Sequence, residues 1–170
     1  VLRAALGSIG LGSSSGGSTL TQQLIKQQLV GDAPTFTRKA NEIISALALE
    51  RNMTKNEILT IYLNVSPFGR NNQGKNIAGV EAAARGIFGK TAKELSVPQA
   101  AYIAGLPQSP IVYSPYASDG TRKSDDDMIY GIERYQDVLY NMYRASFLTK
   151  EEYEAYKDYD IKQDFIAPAP

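Results

Sequence analysis

The segment SVPQAAYIAGLP, residues 96–107, carries a clear helix-start signal. Ser96 and Gln99 stand three positions apart and form a capping box, in which each side chain can bond the backbone N–H of the other residue. Pro98 falls in the first helical turn, where the missing N–H of proline has no partner to lose. The segment therefore predicts a helix that begins after Ser96.

The same signal recurs along the chain. A threonine followed three positions later by glutamate also occurs at Thr54, Thr91 and Thr149, and the first of these helices is predicted to run through Leu63. Between residues 125 and 144, apolar residues alternate four and three positions apart, which places them on one face of a long helix: Met128, Ile132, Tyr135, Leu139 and Met142. Repeated helix starts favour an all-α fold over a sheet.

Two long segments between these helices are predicted as loops, residues 64–76 and 106–120. Loops of this length in a compact domain are often binding loops or mobile lids. In the second one, Tyr113 and Tyr116 are candidates for stacking on sugars, although loop tyrosines are also common on ordinary surfaces. The final stretch FIAPAP, residues 165–170, is predicted to begin a linker.

The composition excludes several kinds of chemistry. A chain of 170 residues fits one domain with a core, and 18 basic against 18 acidic residues give no basic excess for nucleic acid. With no histidine and no cysteine, Ser-His-Asp sites, thiolate nucleophiles and His-ligated zinc sites are excluded. Acid–base catalysis must therefore use carboxylates, lysine or tyrosine.

Near the start of the chain, a Gly/Ser-rich stretch leads into a helix predicted over residues 19–30 and capped by Ser18. Gln22 and Lys26 are four apart and share a face, with Gln23 beside them. Free N–H groups at a helix start, together with a lysine, suit an anionic ligand such as pyrophosphate. The alternative is a mobile linker followed by an ordinary helix, which the residue chemistry alone favours.

A second candidate site lies on a helix predicted over residues 37–51. Arg38 and Glu42 are four apart and can face the same way. The guanidinium could bind a phosphate, and the carboxylate could serve catalysis or hold a metal ion. The alternative is a surface ion pair worth about 0–1 kcal/mol, and without further evidence it is preferred.

Three weaker candidates remain, each with an ordinary structural alternative. Glu81 is either an orienting carboxylate or a partner of Arg85 on its own helix. Asn64 is either a ligand-binding residue or a helix C-cap. The acidic run at residues 124–128 could bind a cation, but a capped, acidic first helical turn is the preferred interpretation.

Taken together, these stretches resemble, in order and spacing, four of the five motifs of the peptidoglycan glycosyltransferases, the polymerase domain of class A penicillin-binding proteins. The resemblance covers residues 1–116 strongly and the closing helices weakly. The four stretches are GGSTLTQQLIKQ (16–27), RKANEIISALALE (38–50), KNEILTIYLNVSPFG (55–69) and QAAYIAGLPQSP (99–110).

The resemblance implies an all-α, lysozyme-like fold with a large lobe and a smaller membrane-facing jaw. It implies an enzyme at the outer face of the bacterial cytoplasmic membrane that polymerises lipid II into β-1,4 glycan strands. The reaction inverts the anomeric carbon and releases polyprenyl pyrophosphate. The implied partners are lipid II, the growing glycan, the membrane surface and a C-terminal transpeptidase domain, with no nucleic acid.

The resemblance also assigns residues. It implies that Glu42 is catalytic and helps the pyrophosphate leave, directly or through a divalent ion (Mg or Mn) that Glu42 would hold, with no organic cofactor. The pyrophosphate and sugar cleft would be lined by Ser18, Thr19, Gln22, Gln23, Lys26, Arg38, Lys39 and Asn64.

The chain departs from the family pattern in several places, of which two bear on the site. The first motif, an acidic pair followed by Phe and His, has no counterpart in these residues; by spacing it would precede Val1. We therefore expect residues 1–170 to be a domain fragment without its general-base glutamate or membrane anchor, and to be inactive alone. In addition, Pro34 stands where an arginine is common.

Two other functions are alternatives to the glycosyltransferase: a lysozyme-like lytic enzyme and a non-catalytic lipid II-binding scaffold.

Overall fold

The structure is a computed structural model and describes residues 51–170. Six α-helices and one two-stranded antiparallel sheet make up its regular elements over this range: α1 Lys55–Val65, β1 Pro67–Arg70, β2 Asn76–Ala78, α2 Val80–Ala83, α3 Val97–Gly105, α4 Pro110–Tyr113, α5 Ile129–Arg144 and α6 Lys150–Lys157. A π-helical turn, Ala84–Phe88, continues α2, and short 3-10 turns occupy Ala92–Glu94, Leu106–Gln108, Asp126–Met128 and Ile161–Asp164. The predicted helix at residues 19–30 lies outside the described residues, and so does the predicted helix at residues 37–51 except for Arg51, which is helical.

All four predicted capping boxes are present. The side chains at Thr54, Thr91, Ser96 and Thr149 each pair reciprocally with the residue three positions later. The helix after Thr54 extends two residues beyond the predicted end, and the helix after Thr91 is a single 3-10 turn. Because a capping box involves only neighbouring residues, it can be predicted without knowledge of the tertiary fold.

The core lies where α3 packs against α5. Every residue of α3 from Pro98 to Gly105 is buried, and α5 turns the predicted apolar face toward it, with Ile132 only partly buried. At Gly105 an added Cβ would lie 2.9 Å from Cγ of Arg134, so glycine allows the helices to approach closely. Within residues 51–170 no helix combines the length and the apolar character of a membrane span.

Gln99 joins three parts of this core through one buried side-chain amide. Its Oε1 accepts from the backbone N–H of Ser96 at 2.9 Å and from Nζ of Lys90 at 3.3 Å. Its Nε2 donates to Oδ2 of Asp164 at 3.0 Å, whose Oδ1 accepts from the Tyr159 hydroxyl at 2.7 Å. The start of α3 is therefore tied to the segment after α2 and to the last 3-10 turn.

The prediction that residues 64–76 form a loop was wrong in part, because this range overlaps the β1–β2 hairpin. Pro67 pairs with Ala78 and Arg70 pairs with Asn76. The turn between the strands is built around Asn71, whose Oδ1 accepts from the backbone N–H groups of the residues two and four positions later. Strands of four and three residues are too short to show a period-2 pattern in sequence.

The second predicted loop, residues 106–120, is also structured. It holds a 3-10 turn and α4, and buried Ser114 fastens it to the hairpin. Oγ of Ser114 accepts from the Arg70 backbone N–H at 3.1 Å and donates to the Arg70 carbonyl at 3.2 Å. The described contacts therefore place this segment against the body of the domain.

Tyr116 is fully buried, so the prediction that it stacks on sugars is wrong. Its hydroxyl donates to the Ile166 carbonyl and lies 3.5 Å from the Ile87 carbonyl. The final segment is held further by the Ile166 N–H, which donates to the Ile87 carbonyl at 2.9 Å, and by the Ala169 N–H, which donates to the Asn72 carbonyl at 2.9 Å. Whether residues 165–170 begin a linker stays a prediction.

We expect Tyr116→Phe to lower the free energy of unfolding by about 1–3 kcal/mol, because the change leaves a carbonyl of the core without its donor. Urea denaturation measures the loss. Tyr130→Phe is the matched control: Tyr130 is 64% exposed, and its change should stay within about 0.5 kcal/mol. Equal stability of Tyr116→Phe and the parent would show that this bond does not anchor the final segment.

Stability should also fall at alkaline pH. Burial raises the pKa of Tyr116 to about 12 and raises the pKa of Tyr62, Tyr102 and Tyr135 as well. Above the ordinary tyrosine pKa of about 10, the unfolded chain loses protons that the folded chain keeps, so unfolding becomes easier as pH rises.

For Tyr116 this stabilisation is complete below about pH 10 and is lost as pH rises toward 12, by up to about 1.4 kcal/mol per pH unit. Urea titrations at pH steps across this window measure the slope. Tyr116→Phe should show a slope that is smaller by that amount. Identical slopes for the variant and the parent would contradict the burial of this hydroxyl.

Candidate functional site

The predicted cleft residues fall mostly outside the part of the chain that the structure describes. Asn64 alone among them lies within residues 51–170. The positions of the others are not described, and their roles stay predictions: Ser18, Thr19, Gln22, Gln23, Lys26, Arg38, Lys39 and Glu42.

Asn64 lies in the last turn of α1 with an exposed side chain. Its Nδ2 donates to the Thr60 carbonyl at 2.9 Å. Because a carbonyl oxygen can only accept, this contact fixes which end of the amide faces the helix and leaves Oδ1 to accept from elsewhere. The C-cap interpretation of Asn64 was wrong: Ser66 is the C-cap, and its extended backbone (φ −63°, ψ 146°) ends the helix while its N–H bonds the Tyr62 carbonyl.

The backbone of Asn64 is held against the start of α2. Gly79 has φ +88°, and its N–H donates to the Ser66 carbonyl at 2.9 Å. A Cβ at Gly79 would lie only 2.8 Å from the Asn64 carbonyl oxygen. A glycine is required here on two counts, since the φ angle and the close approach both exclude a side chain.

The electrostatic setting of Asn64 suits a neutral hydrogen-bond donor. The C-terminal end of a helix carries a partial negative charge from its free carbonyl groups, and the last turn of α1 contains no lysine or arginine. An anion is therefore disfavoured at this end of α1. A hydroxyl or amide N–H of a sugar could donate to Oδ1 of Asn64.

Glu81 has a structural role. Its Oε1 accepts from Nε of Arg85 at 3.1 Å, as the ion-pair alternative proposed. Its Oε2 accepts from the backbone N–H of Ala92 at 3.0 Å. Both carboxylate oxygens are thus occupied: Oε1 pairs with the π-helical turn that continues α2, and Oε2 bonds the following 3-10 turn.

The acidic run at residues 124–128 forms a capped first turn, as preferred above. Oγ of Ser124 accepts from the Asp127 N–H at 3.2 Å, and Asp125 pairs with Lys162 at 3.3 Å. Across residues 51–170, no three Asp, Glu, His or Cys side chains are grouped so that they could hold a metal ion. A metal at Glu42 would lie outside this range.

A polar pocket of about 250 Å³ between α4 and α5 was not predicted from the sequence. Four of its lining residues follow one another on α5 at positions i, i+3, i+4 and i+7, a spacing that marks one helix face. That spacing could have indicated a shared polar face on α5. The other two lining residues come from the preceding segment, and their spacing in sequence gives no such indication. The pocket is lined by Gln108, Tyr113, Tyr130, Glu133, Arg134 and Asp137.

Comparisons with known proteins identify the family to which this chain belongs. The family model described as transglycosylase matches residues 1–143. Penicillin-binding protein 1A of Clostridium botulinum (strain Langeland) is 42% identical over 149 residues, which are 87% of this chain and 17% of that protein. Penicillin-binding protein 1A of Pseudomonas aeruginosa is 35% identical over 156 residues, 92% of this chain and 17% of that protein.

A solved structure shares the fold. The crystal structure of penicillin-binding protein 1A from Haemophilus influenzae aligns with a TM-score of 0.51 and 28% sequence identity, covering 84% of this chain and 16% of that one. The predicted all-α class is confirmed, and a lysozyme-like fold is consistent with this neighbour. The chain spans about a sixth of the length of the relatives it matches, and it belongs to the transglycosylase family, as a domain of the class A penicillin-binding protein type.

Proposed function

We propose that this domain is a peptidoglycan glycosyltransferase that joins lipid II units into β-1,4 glycan strands. The observation that carries the proposal is the family match over residues 1–143, which includes every candidate cleft residue named from the sequence. The exposed acceptor oxygen of Asn64, at a helix end without a cation, supports a sugar-facing role at that position.

The proposed chemistry depends on charge that develops as the glycosidic bond to pyrophosphate breaks. The leaving group becomes more negative in the transition state, so fixed cations there lower the barrier more than they stabilise the bound substrate. Lys26, Arg38 and Lys39 supply such cations. Ser18, Thr19 and the paired glutamines Gln22 and Gln23 supply hydrogen bonds to phosphate and sugar oxygens.

Glu42 is proposed to assist departure of the pyrophosphate on the donor side. If a divalent ion such as Mg²⁺ or Mn²⁺ is bound there, Glu42 would hold it, and the ion would add positive charge beside the leaving oxygens. No residue between 51 and 170 is assigned to that ion, in keeping with the lack of a ligand cluster in this range.

The proposed setting follows from the same relatives. Because the chain matches 17% of penicillin-binding protein 1A from two organisms, we propose that a transpeptidase domain accompanies it in the natural protein. A lipid-linked substrate places the enzyme at a membrane surface, for which we propose the outer face of the cytoplasmic membrane.

Glu42→Gln in the full-length protein should lower kcat for lipid II polymerisation by at least about 100-fold, the scale of a lost catalytic carboxylate. The measurement is the rate of glycan formation, with circular dichroism to check folding. Glu81→Gln is the matched control: its carboxylate serves a structural contact, and we expect less than about a threefold change. A folded Glu42→Gln protein with the parent rate would reduce Glu42 to an ion-pair partner of Arg38.

We expect the 170-residue chain by itself to form no glycan from lipid II. It contains no histidine and no counterpart of the motif that would supply the general base, without which the acceptor hydroxyl keeps its proton. Incubation with lipid II and separation of the products by gel measures this. Glycan product from the isolated chain would show that another residue serves as the base.

A further inference from the structure

The pocket between α4 and α5 is lined by polar side chains, most of which form no hydrogen bond or ion pair within residues 51–170. Within residues 51–170, the side chains of Gln108, Tyr130, Glu133 and Asp137 form no hydrogen bond or ion pair. The hydroxyl of Tyr113 likewise forms none there; its backbone carbonyl accepts from Tyr102. Convergence of several donors and acceptors on one cavity is what a polar ligand site requires.

Arg134 gives the pocket a fixed donor. Its Nε donates to the Gly105 carbonyl at 3.2 Å, which holds the guanidinium in place at the end of α3. Its terminal nitrogens bond no protein group in the described range. Burial lowers the pKa of this half-buried guanidinium, although arginine remains charged.

The charge of the pocket selects against anions. Two carboxylates, Glu133 and Asp137, and one guanidinium line the pocket, so its net charge is negative. A phosphate would therefore be repelled, whereas the carboxylates can accept from hydroxyl groups and Arg134 and Gln108 can donate to them. A ligand that both donates and accepts at many points matches this set, and the hydroxyls of a sugar ring do so.

The residues and the volume of the pocket also suit a sugar ring. Tyr130 lines the pocket and is 64% exposed, so its aromatic ring is accessible for packing against the C–H face of a sugar. A volume of about 250 Å³ is smaller than the roughly 300–1,000 Å³ of drug-sized ligand sites, which suits one ring of a longer chain. The 330 Å³ cavity along α1 is different, because its Glu57 and Thr60 side chains already bond their own helix.

We infer that this pocket binds one N-acetylglucosamine unit, the neutral sugar that carries no peptide, of a β-1,4 glycan, at a site separate from the face of Asn64. Tyr62 interacts electrostatically with Arg134, and Asn64, two residues further along α1, points to a different side of that helix. The inference rests on the proposed function, since the glycan would be the product of this enzyme, held away from the reacting groups.

The test measures binding of the neutral β-1,4 N-acetylglucosamine tetramer to the full-length protein by isothermal titration calorimetry. Tyr130→Ala and the double variant Glu133→Gln, Asp137→Asn should each weaken binding by about fivefold or more, because each removes a contact to the ring. Tyr140→Ala is the matched control: Tyr140 lies on the same helix, is 46% exposed and is absent from the pocket, and binding should be unchanged.

Each other outcome overturns the inference. Three results do so: no binding of the tetramer at millimolar concentration, equal binding to all variants, or an equal loss of affinity in Tyr140→Ala. The same samples are assayed with lipid II, which separates the two proposals. Polymerisation without pocket-dependent binding defeats only this inference, whereas pocket-dependent binding without polymerisation defeats the proposed function.

Discussion

The buried amide of Gln99 is the interaction on which the described core depends. It closes the capping box of α3 and also bonds Lys90, nine residues earlier, and Asp164, 65 residues later, so one side chain joins three segments of the chain. A buried amide with all these partners specifies a single arrangement, because any shift of one segment leaves a polar group unpaired. The close packing of α3 on α5 follows from that fixed start.

The helical class and most helix starts could be predicted because capping is local. The box at Thr149 needs only residues 149–152, whatever surrounds them. The hairpin could not be predicted, because its strands are short and its turn depends on the side chain of Asn71. The burial of Tyr116 could not be predicted either, since its hydroxyl partner is the carbonyl of Ile166, fifty residues away.

The candidate site, like the fold, could be predicted from the sequence only in part. The order and spacing of four stretches suffice to identify the family. Coordinates are needed, however, to show which atoms of a side chain face outward. Asn64 illustrates this: only the contact with the Thr60 carbonyl shows that its oxygen faces outward. The pocket beside Tyr130 was missed because Gln108 and Tyr113 reach it from a segment that the sequence presented as a loop.

The anchoring of the final segment has a mechanical consequence. Ala169 and Ala167 bond Asn72 in the hairpin turn, and Ile166 bonds Ile87 after α2. A tensile load applied at residue 170 is therefore carried into the hairpin and α2, the two elements that flank the end of α1. The C-terminal end of α1 and the C-terminal segment are thus mechanically connected, so a force on one strains the other.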